Sequence, residues 1–185
     1  MKGVIFITAE ETVKKWIYIS IPILFAVGTL FHFLYDLTDK SLVTGTVAPV
    51  NESVWEHTKL LLLPIIGWWT IFYMTKGQKY KININKWFTG MLVSLLTAIL
   101  STFFVYYFYT EAFGVELLIA DILILLLSDT VGQLLGYHVY KYFAGIRVFI
   151  TITLAVLIVI AYVFWTVDPP CLPLFFDKAA GKYGT

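Results

Sequence analysis

Between residues 148 and 167 the chain carries no charged side chain at all. About 20 apolar residues, rising 1.5 Å each, cross the roughly 30 Å of a bilayer's hydrocarbon. A helix that is apolar all round must be buried in protein or in lipid. Four further stretches share this character, and together they predict spans over about residues 16–36, 52–75, 87–110, 115–140 and 147–167, followed by an extended tail over 168–185. The expected fold is an all-α integral membrane protein, a single bundle of about five transmembrane helices. Composition agrees: 59% of the 185 residues are hydrophobic and 14% are charged, where a soluble domain carries about 25% charged residues. Pro22 and Gly28 fall inside the first span, which membrane helices tolerate. Trp16, Trp87 and Trp165 stand at span ends, where an aromatic belt would place them.

The second span is unusual. Its unbroken apolar part covers only residues 60–75, a rise of about 24 Å. To fill the bilayer this helix must begin earlier, which draws Glu56, His57 and Lys59 to the level of the headgroups.

Orientation follows from the cations. Lys2, Lys14, Lys15, Lys76, Lys79, Lys81, Lys86, Lys141 and Arg147 fall on one side if the spans alternate, and only Lys40, Lys59, Lys178 and Lys182 on the other. The positive-inside rule then places the N-terminus in the cytoplasm and the C-terminus outside. The expected location is the cell membrane and the first partner the lipid bilayer. Glycines in the second and fourth spans permit close helix packing within the chain or between copies, so a homo-oligomer is a further expectation. A net charge of +1 gives no basic field to attract nucleic acid. The single Cys171 excludes an intrachain disulfide framework and a Cys-rich zinc module. Residues 3–9 form an apolar stretch too short for a signal peptide, with Glu10 and Glu11 directly behind it.

The chemistry gathers at the expected outer face. Asn51-Glu-Ser-Val-Trp-Glu-His-Thr-Lys59 is its densest segment. Ser53 followed by Glu56 reads as a capping box, with Asn51 a rival N-cap. That accounts for a helix start but not for His57. His32 lies near the outer end of the first span, with Asp36 four residues on, where a carboxylate can hold one imidazole nitrogen and free the other. The fourth span carries Asp121 near its outer end and Asp129 near its middle, with Ser128, Gly132, Gln133 and Gly136 making a polar stripe. Ser94, Thr97 and Ser101 of the third span match it in spacing. Asp129 is either a functional carboxylate or one bonded into the bundle by Gln133 or these hydroxyls. His138 reads as interfacial. In the tail, Asp168-Pro-Pro-Cys-Leu-Pro-Leu-Phe-Phe-Asp177 is too proline-rich for helix, and its Leu and Phe residues predict a lid folded back on the outer surface.

The segments Phe31-His-Phe-Leu-Tyr-Asp36, Val50-Asn-Glu-Ser-Val-Trp-Glu-His-Thr-Lys-Leu60 and Asp121-Ile122, with the Pro-Pro-x-x-Pro-Leu-Phe tail closing on Tyr183-Gly184, carry a resemblance. The chain resembles, over nearly its whole length, an uncharacterised bacterial multi-pass membrane family known as a domain of unknown function. The resemblance implies the membrane fold and a signature concentrated at one face, and no assigned activity. It also implies a histidine after Pro-Pro, where this chain has Cys171.

Three functions are open at this point, and the sequence does not decide between enzyme and non-enzyme. In the first, His32, Glu56, His57 and Cys171 ligate a divalent metal such as zinc, with Asp36, Glu52 or Asp121 supporting or acting as base. Glu56, Asp36 and Asp121 are then the catalytic candidates of a hydrolase or transferase acting on a lipid or membrane-proximal substrate. Asn51, Glu52, Ser53, Trp55, Lys59 and Asp129 are substrate or structural positions. Glu56 and His57 are adjacent, so a regular helix points them about 100° apart. In the second, the chain is a transporter, an ion or proton conduit or a transporter subunit, and Asp129 relays between Asp121 and His138. In the third, the signature locks the outer face together in a structural or sensing protein.

Overall fold

A computed structural model describes residues 8–184; Lys2 and most of the 3–9 stretch lie outside them. Helix α1 (Ala9–His32) starts at an N-cap Thr8, whose hydroxyl accepts from Glu11 N while the Glu11 carboxylate accepts from Thr8 N. This capping box starts the helix well before the first apolar residue of the span. After α1 come two single-turn helices, α2 (Leu34–Leu37) and α3 (Leu42–Gly45). The second span is assembled from α4 (Val54–His57), α5 (Lys59–Phe72) and a π-helical turn Tyr73–Gly77. Helix α6 (Ile84–Phe113) begins at Asn83, whose side chain accepts from Lys86 N, and stops at Gly114, whose φ of 65° suits glycine. Helices α7 (Leu118–Tyr142) and α8 (Val148–Val167) complete the bundle. Among the described residues, five helices are therefore long and apolar enough to cross a membrane, and the chain is a multi-pass membrane protein. The second of them starts at Val54, as the short apolar run requires.

The seam between α6 and α7 is the closest in the molecule. A Cβ on Gly132 would lie 2.6 Å from the Ser94 carbonyl, and one on Gly136 would lie 2.6 Å from the Gly90 carbonyl. Small residues four apart on both helices thus let the two backbones touch, the usual route to association where lipid competes for every apolar contact. Half of α6's most apolar window is buried by protein, against 17% for α8, so α6 is central and α8 mostly faces outward.

Trp87 is fully buried rather than belted at the interface: its ring packs 4.5 Å from Trp69 and 4.8 Å from Phe72, and its Nε1 donates to the Trp69 carbonyl. Trp16 stacks on Trp68. At this end of the bundle Lys141 pairs with Glu10, and Asn85 and Thr89 accept from Val148 N and Ile146 N to hold the α7–α8 connection. The same end carries Lys14, Lys76, Lys86 and Arg147.

The opposite end is closed by the tail. After α8, a 3₁₀ turn Pro173–Phe175 leads into a two-stranded antiparallel ribbon, β1 (Phe176–Asp177) against β2 (Lys182–Tyr183). Phe175 is buried against Trp55 and Trp165. Trp55 also stacks 4.2 Å from Tyr162 of α8, each such pair contributing about 0.5–1.5 kcal/mol beyond its area.

Candidate functional site

Ser53 is the N-cap of α4, its Oγ accepting from Glu56 N. The reciprocal half of the capping box is missing. Ser53 N donates to Asn51 Oδ1 instead, so Asn51 caps the residue that caps the helix. This frees the Glu56 carboxylate, which turns inward. It lies 2.6 Å from Lys59 Nζ and also accepts from Val50 N. Lys59 Nζ donates in turn to the carbonyls of Gly45 and Ala48. Glu56 is 2% exposed and Lys59 0%. The pair is a buried tie that draws the connection over residues 45–50 onto the start of the second span.

His57, the next residue, faces elsewhere because α4 turns about 100° per residue and relaxes at Thr58, whose Oγ1 bonds Tyr162 Oη at 2.5 Å. The His57 ring lies 5.3 Å from the ring of His32. Glu52 reaches the same place from the turn before α4. His32, Glu52 and His57 each offer one ligand atom, and these atoms lie within 4.8 Å of one another. His57 Nδ1 lies 3.0 Å from the Ser53 carbonyl oxygen, an acceptor only, so that nitrogen carries a proton. Its Nε2 lies 3.3 Å from a Glu52 carboxylate oxygen. In a neutral ring with its proton on Nδ1, Nε2 is a lone pair, and a lone pair facing a carboxylate repels it. The geometry therefore calls for a positive charge on this line, either a second proton or a metal ion. The hydrogen bond from His57 holds the Glu52 carboxyl below its ordinary range, outweighing the partial burial that pulls the other way.

The remaining residues surround this cluster or stand apart from it. Asp121, half-buried at the start of α7, accepts from Tyr109 Oη at 2.6 Å and lies within electrostatic reach of His57. Asp36 is exposed on α2, in electrostatic reach of His32 but without a hydrogen bond to it among the described residues. Asn51 Nδ2 donates to the Gly184 carbonyl. Cys171 is exposed and outside the cluster, because the tail lays Phe175 rather than Cys171 on the bundle. The carboxylate beside His32 and His57 is that of Glu52, while that of Glu56 turns to Lys59.

Asp129 is far from all of these along α7. It is 0% exposed, and neither of its oxygens has a hydrogen-bond partner among the described residues. Ser94 Oγ, Ser128 Oγ and Gln133 Nε2 are likewise buried and unpartnered, and Gln133 Oε1 accepts from Trp69 Nε1. His138 is exposed against Tyr142.

Three contributors escape a reading of the sequence. Asp177, 4% exposed, accepts from Glu52 N. Tyr109 holds Asp121, and Tyr162 supports both Trp55 and Thr58. Tyr162 alone leaves a trace, as the one tyrosine in an uncharged span.

No curated protein and no solved structure matches the chain. A family model does, over residues 6–185, and the chain belongs to that family, DUF6512, a family of unknown function.

Proposed function

We propose that this membrane protein binds a divalent cation of the zinc class through His32, Glu52 and His57. The observation that carries the proposal is the convergence of two imidazoles and one carboxylate to within 4.8 Å, with His57 Nδ1 tied back to a carbonyl. Zinc takes such ligands at roughly 2.0–2.2 Å, which sets them about 3–3.5 Å apart, so a small inward movement completes the set. Three protein ligands leave a fourth position for water or a substrate oxygen, the arrangement of catalytic rather than structural zinc. Asp121, oriented by Tyr109, and Asp36 are the carboxylates placed to take up a proton nearby. The Glu56–Lys59 tie serves the fold beneath them. The bias of Lys and Arg toward the other end of the bundle turns the cluster outward. There, ligands on the ends of α1 and α4 meet the headgroup layer, which makes hydrolysis or transfer on a lipid or membrane-proximal substrate the chemistry in reach.

Elemental analysis of the purified full chain, prepared without chelator, tests this. Close to one zinc-class ion per chain is expected in the wild type and in Lys178→Ala, and loss in His57→Ala and Glu52→Gln. A well-folded wild type without metal overturns the proposal.

A second reading, passage of an ion or proton along α7, has one observation behind it: a mid-span carboxyl, Asp129, with no hydrogen-bond partner for either oxygen among the described residues.

A further inference from the structure

Of the three ligands, His32 ends α1 and His57 lies within α4, but Glu52 belongs to no helix. Its side chain is 57% exposed, so packing does not hold it. Its backbone is held from the far end of the chain. Glu52 N donates to Asp177 Oδ2 at 3.2 Å, and the neighbouring Asn51 Nδ2 donates to the Gly184 carbonyl at 3.0 Å. Asp177 is itself fixed: its other oxygen accepts from Ala180 N, its carbonyl accepts from Gly181 N, and β1 pairs it with Lys182. Phe175, two residues earlier, is wedged beside Trp55 of α4.

We infer that Asp177 is a positioning residue for the cation site, and that the C-terminal ribbon is the clamp that sets Glu52 against His32 and His57. The inference rests on the cation reading above. A loop ligand left free must be ordered each time the ion binds, and a ligand already held loses that cost. Groups that orient a ligand without touching the metal typically change affinity about 10–100-fold when removed. The tail is therefore part of the site, although its own cysteine is not.

Zinc titration against a competing chelator, on the purified full chain in detergent, tests the clamp. Wild type, Asp177→Ala, Asn51→Ala and Cys171→Ser are compared. Asp177→Ala and Asn51→Ala are expected to weaken zinc about 10–100-fold at unchanged stoichiometry. Cys171→Ser, in the same tail but exposed and outside the ligand cluster, is expected to bind as the wild type does. Zinc should raise the wild-type melting temperature and raise that of Asp177→Ala much less at equal zinc, a difference that simple loosening of the fold does not produce. Should Asp177→Ala fail to fold, Asn51→Ala carries the test. Wild-type affinity in both variants overturns the clamp and leaves the cation site standing. A wild type that binds no zinc overturns both.

Discussion

Glu56 and Asp129 are both carboxylates withdrawn from solvent, 2% and 0% exposed, yet their surroundings differ in kind. Glu56 has Lys59 and Val50 N as partners, and Lys59 has two carbonyls besides. Asp129 has none among the described residues. The cause is position. Glu56 lies at a helix start beside an irregular connection, where backbone N–H and C=O groups are still free to bond a side chain. Asp129 lies in the middle of α7, where the helix already consumes those groups, so only side chains can serve it. A buried carboxyl at a bundle end can organise the chain around it; one in mid-span depends on its neighbours' side chains. The candidate cation site is at the same end for the same reason, since it draws on a carbonyl from Ser53 and a loop carboxylate from Glu52.

The largest effect expected from this contrast is at Lys59. Lys59→Met leaves Glu56 buried beside no cation and should cost about 3–5 kcal/mol, read from unfolding of the purified protein. Adding Glu56→Leu should recover part of that loss, because an apolar pair leaves no stranded charge, though Val50 N and the two carbonyls lose partners. A single variant as stable as the wild type would break the contrast at its stronger pole.

A smaller effect is expected at Asp129. Asp129→Asn keeps the volume, breaks no hydrogen bond found among the described residues and leaves an acceptor beside Gln133, so stability should shift by no more than about 1 kcal/mol. A loss well above that would mean the carboxyl has a partner such as ordered water, and the two sites would be alike after all. A variant of unchanged stability that has lost proton or ion flux in proteoliposomes would favour passage along α7.

The sequence made the spans legible because their signal is long and additive. Residues 148–167 need no partner to identify them. Ser53 as N-cap was legible too, since a cap is local. The short second span makes Glu56 a candidate ligand by drawing it to the headgroup level with His57, but its spacing to Lys59 decides its direction, and a helix turns adjacent residues apart. Asp177 was out of reach: it meets Glu52 only because the tail folds across the bundle, and no spacing rule spans that distance. An interfacial tryptophan and a buried one look alike in sequence, and only the packing of Trp69 and Phe72 of α5 on Trp87 tells them apart.

The smallest effect concerns the one exposed ion pair that anchors the tail. Glu116, between α6 and α7, bonds Lys178 and accepts from Tyr106 Oη, and both side chains of the pair are substantially exposed. The hydrogen bond from Lys178 is the main reason its carboxyl is held below the ordinary value of 4.5. A carboxyl depressed in the folded state binds protons less readily there than in the unfolded chain. Its contribution is therefore fully present above the unfolded value and fades as pH falls through the lower folded one. Hydrogen exchange of residues 176–183 should thus be unchanged between neutral pH and about pH 5, after correction for intrinsic exchange rates, and should quicken below pH 4. Glu116→Gln should show the quicker exchange at every pH. Because the pair is solvent-screened the change is small, and it should leave the core amides of α6 untouched. If acidification loosened residues 51–57 before the tail, the ribbon would not be what holds Glu52.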